Sequence, residues 1–478
     1  MTKYVQIFLI MLLAAFLNFS CRKSHPSESN APDNKDPIAE NNATWETMKY
    51  GLFVHYVYGG EYGGMTPLSS AGAYPSTIDD LVERFNVTKW ADDVAAMGFE
   101  YVIFTAWHAN MNILYPSPVM DKWRGKGHST TSRDLLGEII DALIVRGIKP
   151  AIYTHIWVGN DFHPQGDGYF YYGNVNGTIT EDQKRTGYPE SVRGNSTIWN
   201  NFVCEVYDEL SARYGTKIAA YWFDGTWTDK VDKNRIMETI KKHNPTCAFV
   251  ANGTKSHGMP FSSKEVGSPE ATDYGFASDY PPINNNDVKT WPSYDRHVAI
   301  IQSGNWWASR WGKARFTAEA VFRYTVLQAA TNNGGGVGWS FGPYADGSWE
   351  SDLFVVMKKA NSYINPIAES IKNTRASTLY RTREGTKISK LLFSRGFVAT
   401  SSVDGLYEYI HVLAPSSTQS LQLLPPQDRK EFDSALLLAK NKPIKLEKND
   451  QGYLLTLPDG ETWDTLDTVI RLSVKSNS

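Results

Sequence analysis

Cysteine is scarce in this chain, three residues in 478, and none belongs to a CxxC pair. HxH and HExxH arrangements are missing too, so no metal cage of familiar spacing is expected. An excess of charge is also absent. The formal net charge is -3 with 21% charged residues, which excludes a polybasic surface for nucleic acid and a disordered polyelectrolyte. Long apolar runs are absent beyond the first twenty residues. A phosphate loop is missing as well: "TNNGGGVGW" has glycines but no Lys-Ser/Thr pair and precedes a strand-like run, so its glycines read as close backbone approach beneath a pocket. What is plentiful is aromatic. Phe, Trp and Tyr make up 13% of the chain, with 15 Trp and 26 Tyr; these rings can fill a large core or stack on the apolar faces of sugars.

The one long apolar run opens the chain. Lys3 is followed by "YVQIFLIMLLAAFLNFS" and then Cys21, a positive start and an apolar segment too short to span comfortably. Residues 1–20 resemble a bacterial lipoprotein signal, with Cys21 as the lipidated first mature residue; secretion through another peptidase is the alternative. "RKSHPSESNAPDNKDP" is polar and rich in Pro, Ser and Asn, so residues 21–44 read as a flexible tether. The expectation is an exported protein, periplasmic or a lipoprotein of the outer membrane or cell surface, touching membrane only through its N-terminal anchor. Cys204 and Cys247 either pair or sit as two buried thiols.

From residue 45 to 370, apolar strand-like runs alternate with amphipathic helical runs. "YGLFVHYVY" leads to "TKWADDVAAMG", "YVIFTAWH" to "SRDLLGEIIDALIVRG", and "KPAIYTHIW" to "STIWNNFVCEVYDELSARYG". In the second helix Leu135, Leu136, Ile139, Ile140, Leu143 and Ile144 form one stripe, with Asp134 at the start and Gly147 past the end. Seven such strands are recognisable and the region between Asn252 and Ser293 stays open. The pattern predicts an α/β fold with a parallel (β/α)8-type barrel. After residue 370 short alternating strands punctuated by "PSS", "PP" and "DG" predict an antiparallel β-sandwich over 371–478.

In such barrels chemistry gathers at the carboxyl ends of the strands. His55, His108, Tyr153, His155 and Trp157 fall there. "AAYWFDGTW" closes a buried strand with Asp224 and a Gly turn, where Asp224 is either a functional carboxylate or a turn cap. The loops beyond supply Glu265, Glu270 and Asp279. Each histidine stands alone beside an aromatic residue, which suits neutral hydrogen bonding to hydroxyls and ring stacking. A metal hydrolase is the rival reading, although no metal and no cofactor is expected.

"MKYGLFVHY", "YVIFTAWHAN", "GIKPAIYTHIW", "YWFDGTW" and "GGGVGWSFGPYADGSW", in that order, resemble the landmarks of glycoside hydrolase family 29, the retaining α-L-fucosidases. The resemblance spans most of residues 45–370. It implies a barrel followed by a β-sandwich, an exo-acting double displacement on a glycan or oligosaccharide, and Asp224 as nucleophile. It puts the acid/base on Glu270, in "KEVGSPEATDYGFASDYPP", with Glu265 and Asp279 as alternatives. Burial and the charge of Asp224 would raise the pKa of that acid. His55 and His108 would bind the sugar, with Tyr153 and Trp222 lining the floor. Where the family has a second His and an Asp, this chain has Ala109 and Asn110; Trp107 replaces a Lys, and a Glu-Trp pair is replaced by "SAGAYPS". Lost hydrogen bonds of about 0.5–1.5 kcal/mol each imply a different sugar or, alternatively, a catalytically impaired carbohydrate-binding relative.

Overall fold

The computed structural model describes residues 44–59, 65–108, 111–156, 196–226, 231–253, 258–266, 295–301, 313–330, 335–382, 395–415 and 417–475. Apolar runs that are buried on both faces form parallel strands here, because helices that follow β1 to β4, β7 and β8 cover their outer faces. The order is β1 (Tyr50–Val54), α1 (Ile78–Glu83), α2 (Val87–Ala96), β2 (Tyr101–Trp107), α3 (Pro118–Arg124), α4 (Leu135–Val145), β3 (Lys149–His155), α5 (Ser196–Tyr214) and β4 (Ala220–Asp224). It continues through α6 (Lys233–Lys241), β5 (Ala248–Asn252), β6 (Phe261–Val266), β7 (Arg296–Ile300), α7 (Ala318–Ala330), β8 (Val337–Ser340) and α8 (Ser351–Ile364). The eight strands close into a barrel, the last pairing with the first from Tyr50↔Val337 to Phe53↔Ser340.

The open stretch after Asn252 contains β6. Glu265, expected on a loop, therefore lies on a strand, in register with Val298 of β7. The strand escapes an apolar-run criterion because Ser262, Ser263 and Lys264 interrupt it. In α4, Asp134 accepts a hydrogen bond from Gly137 N–H and the five residues Leu135, Leu136, Ile139, Ile140 and Leu143 are buried, as expected. Ile144 is not: it is 41% exposed. At about 100° per residue it lies about 40° beyond Ile140, past the edge of the buried arc.

Side chains pointing into the barrel include Phe53, Tyr101, Ile103, Tyr153, Trp222 and Val298. Phe53 and Trp222 expose nothing, a burial worth about 1.5–3 kcal/mol for a Phe-sized side chain. Gly51 leaves room for this filling, since a Cβ there would lie 2.0 Å from the Tyr101 ring. Gly335 and Gly336 of "NNGGGVGW" serve the other end of the barrel: a Cβ on Gly335 would overlap the Asp295 carbonyl oxygen, and one on Gly336 would strike Lys49 backbone. They bring strand starts together at the foot, away from the pocket they were expected to underlie.

The C-terminal strands are β9 (Thr374–Ala376), β10 (Phe397–Ser402), β11 (Tyr407–Val412), β12 (Ser420–Leu423), β13 (Phe432–Leu437), β14 (Lys442–Pro443), β15 (Lys445–Asn449), β16 (Gly452–Thr456) and β17 (Thr468–Val474). A six-stranded antiparallel sheet, β14-β13-β17-β11-β10-β9, and a three-stranded one, β12-β16-β15, enclose a core that includes Phe397, Ile410, Phe432, Leu455 and Leu472. Arg323 of α7 ties this domain to the barrel by donating to the carbonyls of Leu413 at 2.7 Å, Thr465 at 3.0 Å and Leu466 at 3.1 Å. Cys204 and Cys247 are both buried and both free, which decides the question their spacing left open.

Candidate active site

The barrel aims its side chains by strand parity, and one irregularity changes that parity at β2. Thr105 pairs with Tyr153, but Trp107 pairs with Thr154, so one extra residue is accommodated near Ala106. A bulge of this kind re-aims the side chains beyond it. Trp107 consequently packs with the outer core, and its Nε1–H holds the His155 carbonyl at 3.1 Å. His108 joins the interior group instead, 5.5 Å from Tyr153 with its ring parallel and 5.3 Å from His55 edge to face.

Asp224 ends β4 and keeps 12% of its side-chain surface exposed. Its Oδ1 accepts from Gly225 N–H at 2.8 Å and from Asn252 Nδ2 at 3.0 Å. Its Oδ2 accepts from Tyr153 Oη at 2.8 Å, and His155 Nε2 stands 3.8 Å away. The carboxylate is thus fixed in rotation by donors from β3, β5 and the turn after β4, with the more lightly used oxygen turned toward Tyr153 and His155. The bond from Gly225 N–H is the turn-cap contact anticipated from the sequence, and it occupies only one oxygen.

Beneath the carboxylate lie stacked rings. Tyr153 stacks on Trp222 at 5.2 Å, and Phe53 meets both edge to face at 5.6 and 5.1 Å. Trp222 has no exposed surface, so it supports Tyr153 from below. His55 sits 4.6 Å from Tyr153. Its Nδ1 is 3.0 Å from Thr105 Oγ1, and that hydroxyl donates to the Val54 carbonyl at 2.8 Å. A threonine hydroxyl has one hydrogen, already committed, so His55 Nδ1 must carry a proton and Nε2 is the accepting nitrogen.

Burial holds His55 down to about 3, with His155 adding to the effect and Asp224 opposing it. Burial also pushes His108 well below the usual imidazole range, reinforced by His55 and His155. Both rings are therefore neutral near pH 7. The mouth of the barrel presents one fixed carboxylate among neutral hydrogen-bonding rings, an arrangement that suits hydroxyl groups around one electrophilic carbon. Among the described residues no group of three or more His, Cys, Asp or Glu is disposed to hold a metal ion.

Of the residues singled out from sequence, the structure brings Asp224, His55, His108, Tyr153 and Trp222 together. Glu270, Asp279, Trp157 and Cys21 lie outside the described residues. Asn252 and Thr105 were not anticipated. "VANGT" reads as an ordinary Asn-Gly turn, and Thr105 as one β-branched residue in a strand; only a strand-end position marks Asn252 out.

A family model described as alpha-L-fucosidase matches residues 73–369. No curated protein matches the chain. Among solved structures, the fold is similar to alpha-L-fucosidase isoenzyme 1 from Paenibacillus thiaminolyticus, with TM-score 0.62 and 19% identity, over 92% of this chain and 100% of that one. It is similar to a GH29 alpha-L-fucosidase from Bacteroides thetaiotaomicron, a trapped covalent intermediate with 2-fluoro-fucosyl fluoride, with TM-score 0.61 and 17% identity over 95% of this chain and 100% of that one. A third is the Thermotoga maritima alpha-fucosidase, with TM-score 0.58 and 14% identity over 90% and 96%.

Proposed function

The chain belongs to the α-L-fucosidase family and is a glycoside hydrolase of the GH29 type, and from that premise we propose that it releases α-L-fucose or a closely related sugar from glycan ends by double displacement. Asp224 is the nucleophile in this reading. A retaining glycosidase needs an ionised carboxylate that attacks the anomeric carbon, and a second, proton-bearing group about 5 Å away. The observation that carries the role is the lopsided hold on Asp224: two donors fix Oδ1 and one hydroxyl touches Oδ2. Oδ2 retains the larger acceptor capacity and is the attacking atom.

In the first step Oδ2 bonds to C1 as the bond from C1 to the glycosidic oxygen breaks, and that oxygen takes the proton of the acid. In the second, the same group removes a proton from water, which displaces Asp224 and returns the sugar with its original anomeric configuration. The resemblance favours Glu270 as this acid/base, with Glu265 and Asp279 as alternatives. Neutral His55 and His108 hydrogen-bond the sugar hydroxyls, and because neither carries charge, neither neutralises the nucleophile. The covalent intermediate trapped in the Bacteroides thetaiotaomicron relative supports the double displacement. The N-terminal pattern supports export as a lipoprotein anchored through Cys21.

Removing the carboxylate tests the assignment. Asp224→Ala should abolish release of an aryl leaving group from an aryl α-L-fucoside, and azide should restore part of the turnover as a glycosyl azide. An unchanged rate in that variant contradicts the role. The replacement of family residues by Ala109 and Asn110 favours a second reading, a relative that binds sugar without turning it over. Calorimetric binding of fucose with no hydrolysis across an aryl-glycoside panel would select it.

A further inference from the structure

At the amino ends of the strands, opposite Asp224, a cavity of about 470 Å³ opens between the barrel foot and the start of the β-sandwich. Four cationic side chains line it, Lys49, Arg296, Arg375 and Arg381, against two carboxylates, Glu46 and Asp295. Those acids do not use up the cations. Arg375 reaches Glu46 only at 3.5 Å, and Asp295 spends Oδ2 on Ser262 N–H and Oγ–H at 2.8 and 2.9 Å. Among the described residues Arg381 has no ion-pair partner.

The buried pair is more telling. Lys49 is 1% exposed, and its Nζ donates to the Glu46 carbonyl, with no carboxylate among the described residues taking its remaining hydrogens. Arg296 is 2% exposed and lies between the rings of Trp45 and Tyr101, at 4.0 and 4.4 Å. It gives Nε to the Gly335 carbonyl and Nη2 to those of Trp45 and Met48, while Nη1 makes no hydrogen bond of regular geometry among the described residues, the Tyr101 hydroxyl being the guanidinium's remaining polar neighbour. Buried donors are almost always satisfied, and these two buried cations repel each other, with Glu100 acting on both and Asp295 on Arg296 to offset part of that repulsion. Guanidinium forks with a lysine are the groups that recognise planar or tetrahedral oxyanions. Thr378 adds a hydroxyl to the same wall.

We propose that this cavity is an oxyanion-binding site, taking a sulfate or carboxylate group, either free or carried on a glycan. It lies at the far end of the barrel from Asp224 and is independent of the glycosidase reading. Burial holds Lys49 down to about 7, with Arg296 contributing in the same direction and Glu100 opposing. An anion favours the protonated amine, so binding takes up a proton at pH 8 and not at pH 6. Affinity should then fall about tenfold between those values if the amine alone is linked.

The test is isothermal titration calorimetry of the full chain with sodium sulfate, galactose 6-sulfate, sodium glucuronate and galactose. Sulfate is the chosen ion because it does not itself titrate between pH 6 and 8. Saturable binding of the three anions and not of galactose is expected, about tenfold weaker at pH 8, and lost in the doubly substituted Arg375→Ala/Arg381→Ala chain. Both arginines are exposed, so that variant should fold, and thermal unfolding without ligand checks that it does. Tighter binding of galactose 6-sulfate or glucuronate than of sulfate identifies a glycan-borne group; equal binding identifies a free ion. No saturable binding at tens of millimolar sulfate, or undiminished binding in the folded double variant, overturns the site.

Discussion

Two carboxylates at opposite ends of the barrel are each held by three donors, and the nature of those donors separates them. Among the described residues Glu100 at the foot accepts only backbone N–H groups: Lys49 at 2.8 Å and Tyr50 at 2.9 Å on Oε2, and Asn373 at 2.9 Å on Oε1. Asp224 at the mouth accepts one backbone N–H and two side chains, Tyr153 and Asn252. Backbone donors cannot leave without unfolding, so Glu100 staples the start of β1 to the segment leading into the sandwich. Side-chain donors can yield or re-pair when a new bond forms at the carboxylate. The foot uses its acid for stability; in the proposed reading the mouth holds its acid for chemistry, the division expected of the two faces of such barrels.

That comparison breaks most visibly by exchanging acid for amide at each end. Asp224→Asn should lower kcat/KM on an aryl α-L-fucoside by on the order of 10³-fold or more, with urea unfolding free energy changed by about 1 kcal/mol or less. Glu100→Gln should do the reverse, losing about 2 kcal/mol of stability through weakened acceptors while kcat stays at the wild-type value. If both substitutions hit activity and stability alike, the two ends do not divide the work. A smaller effect sharpens the mouth side: Asn252→Ala frees Oδ1 of one donor, and kcat should drop about 10- to 100-fold with KM little changed, a loss of orientation and not of binding.

The last expected effect is in pH dependence. His55 and His297 are each held down to about 3 by burial. Between about pH 6.5 and 3 an unfolded chain protonates both rings and the folded one neither, so stability should fall as pH drops through that window. The slope approaches about 1.4 kcal/mol per pH unit for each ring. In the His297→Gln variant the urea-derived slope should flatten by about one proton; an unchanged slope means that the ring is protonated in the native protein.

Much of this was legible in the order of residues alone. The strand-helix alternation announced the barrel, and a carboxylate closing "IAAYWFDG" announced Asp224, because an ionisable group at the end of an otherwise buried strand needs a reason. Two kinds of feature were not legible. β6 carries Ser262, Ser263 and Lys264 in place of an apolar run, and its pairing is set by neighbouring strands that no local pattern encodes. The bulge at β2 decides that His108 faces inward and Trp107 outward, yet "TAWHAN" has no Gly or Pro to signal it. Asn252 illustrates the same limit, since its amide matters only through a carboxylate 28 residues away in sequence.

The most direct measurement is covalent. After incubation with 2-fluoro-fucosyl fluoride, rapid acid quenching and proteolysis, mass spectrometry should find one fluoro-sugar ester on the peptide containing Asp224, and none in the Asp224→Asn protein. A label on any other carboxylate, with Asp224 unmodified, would contradict the account.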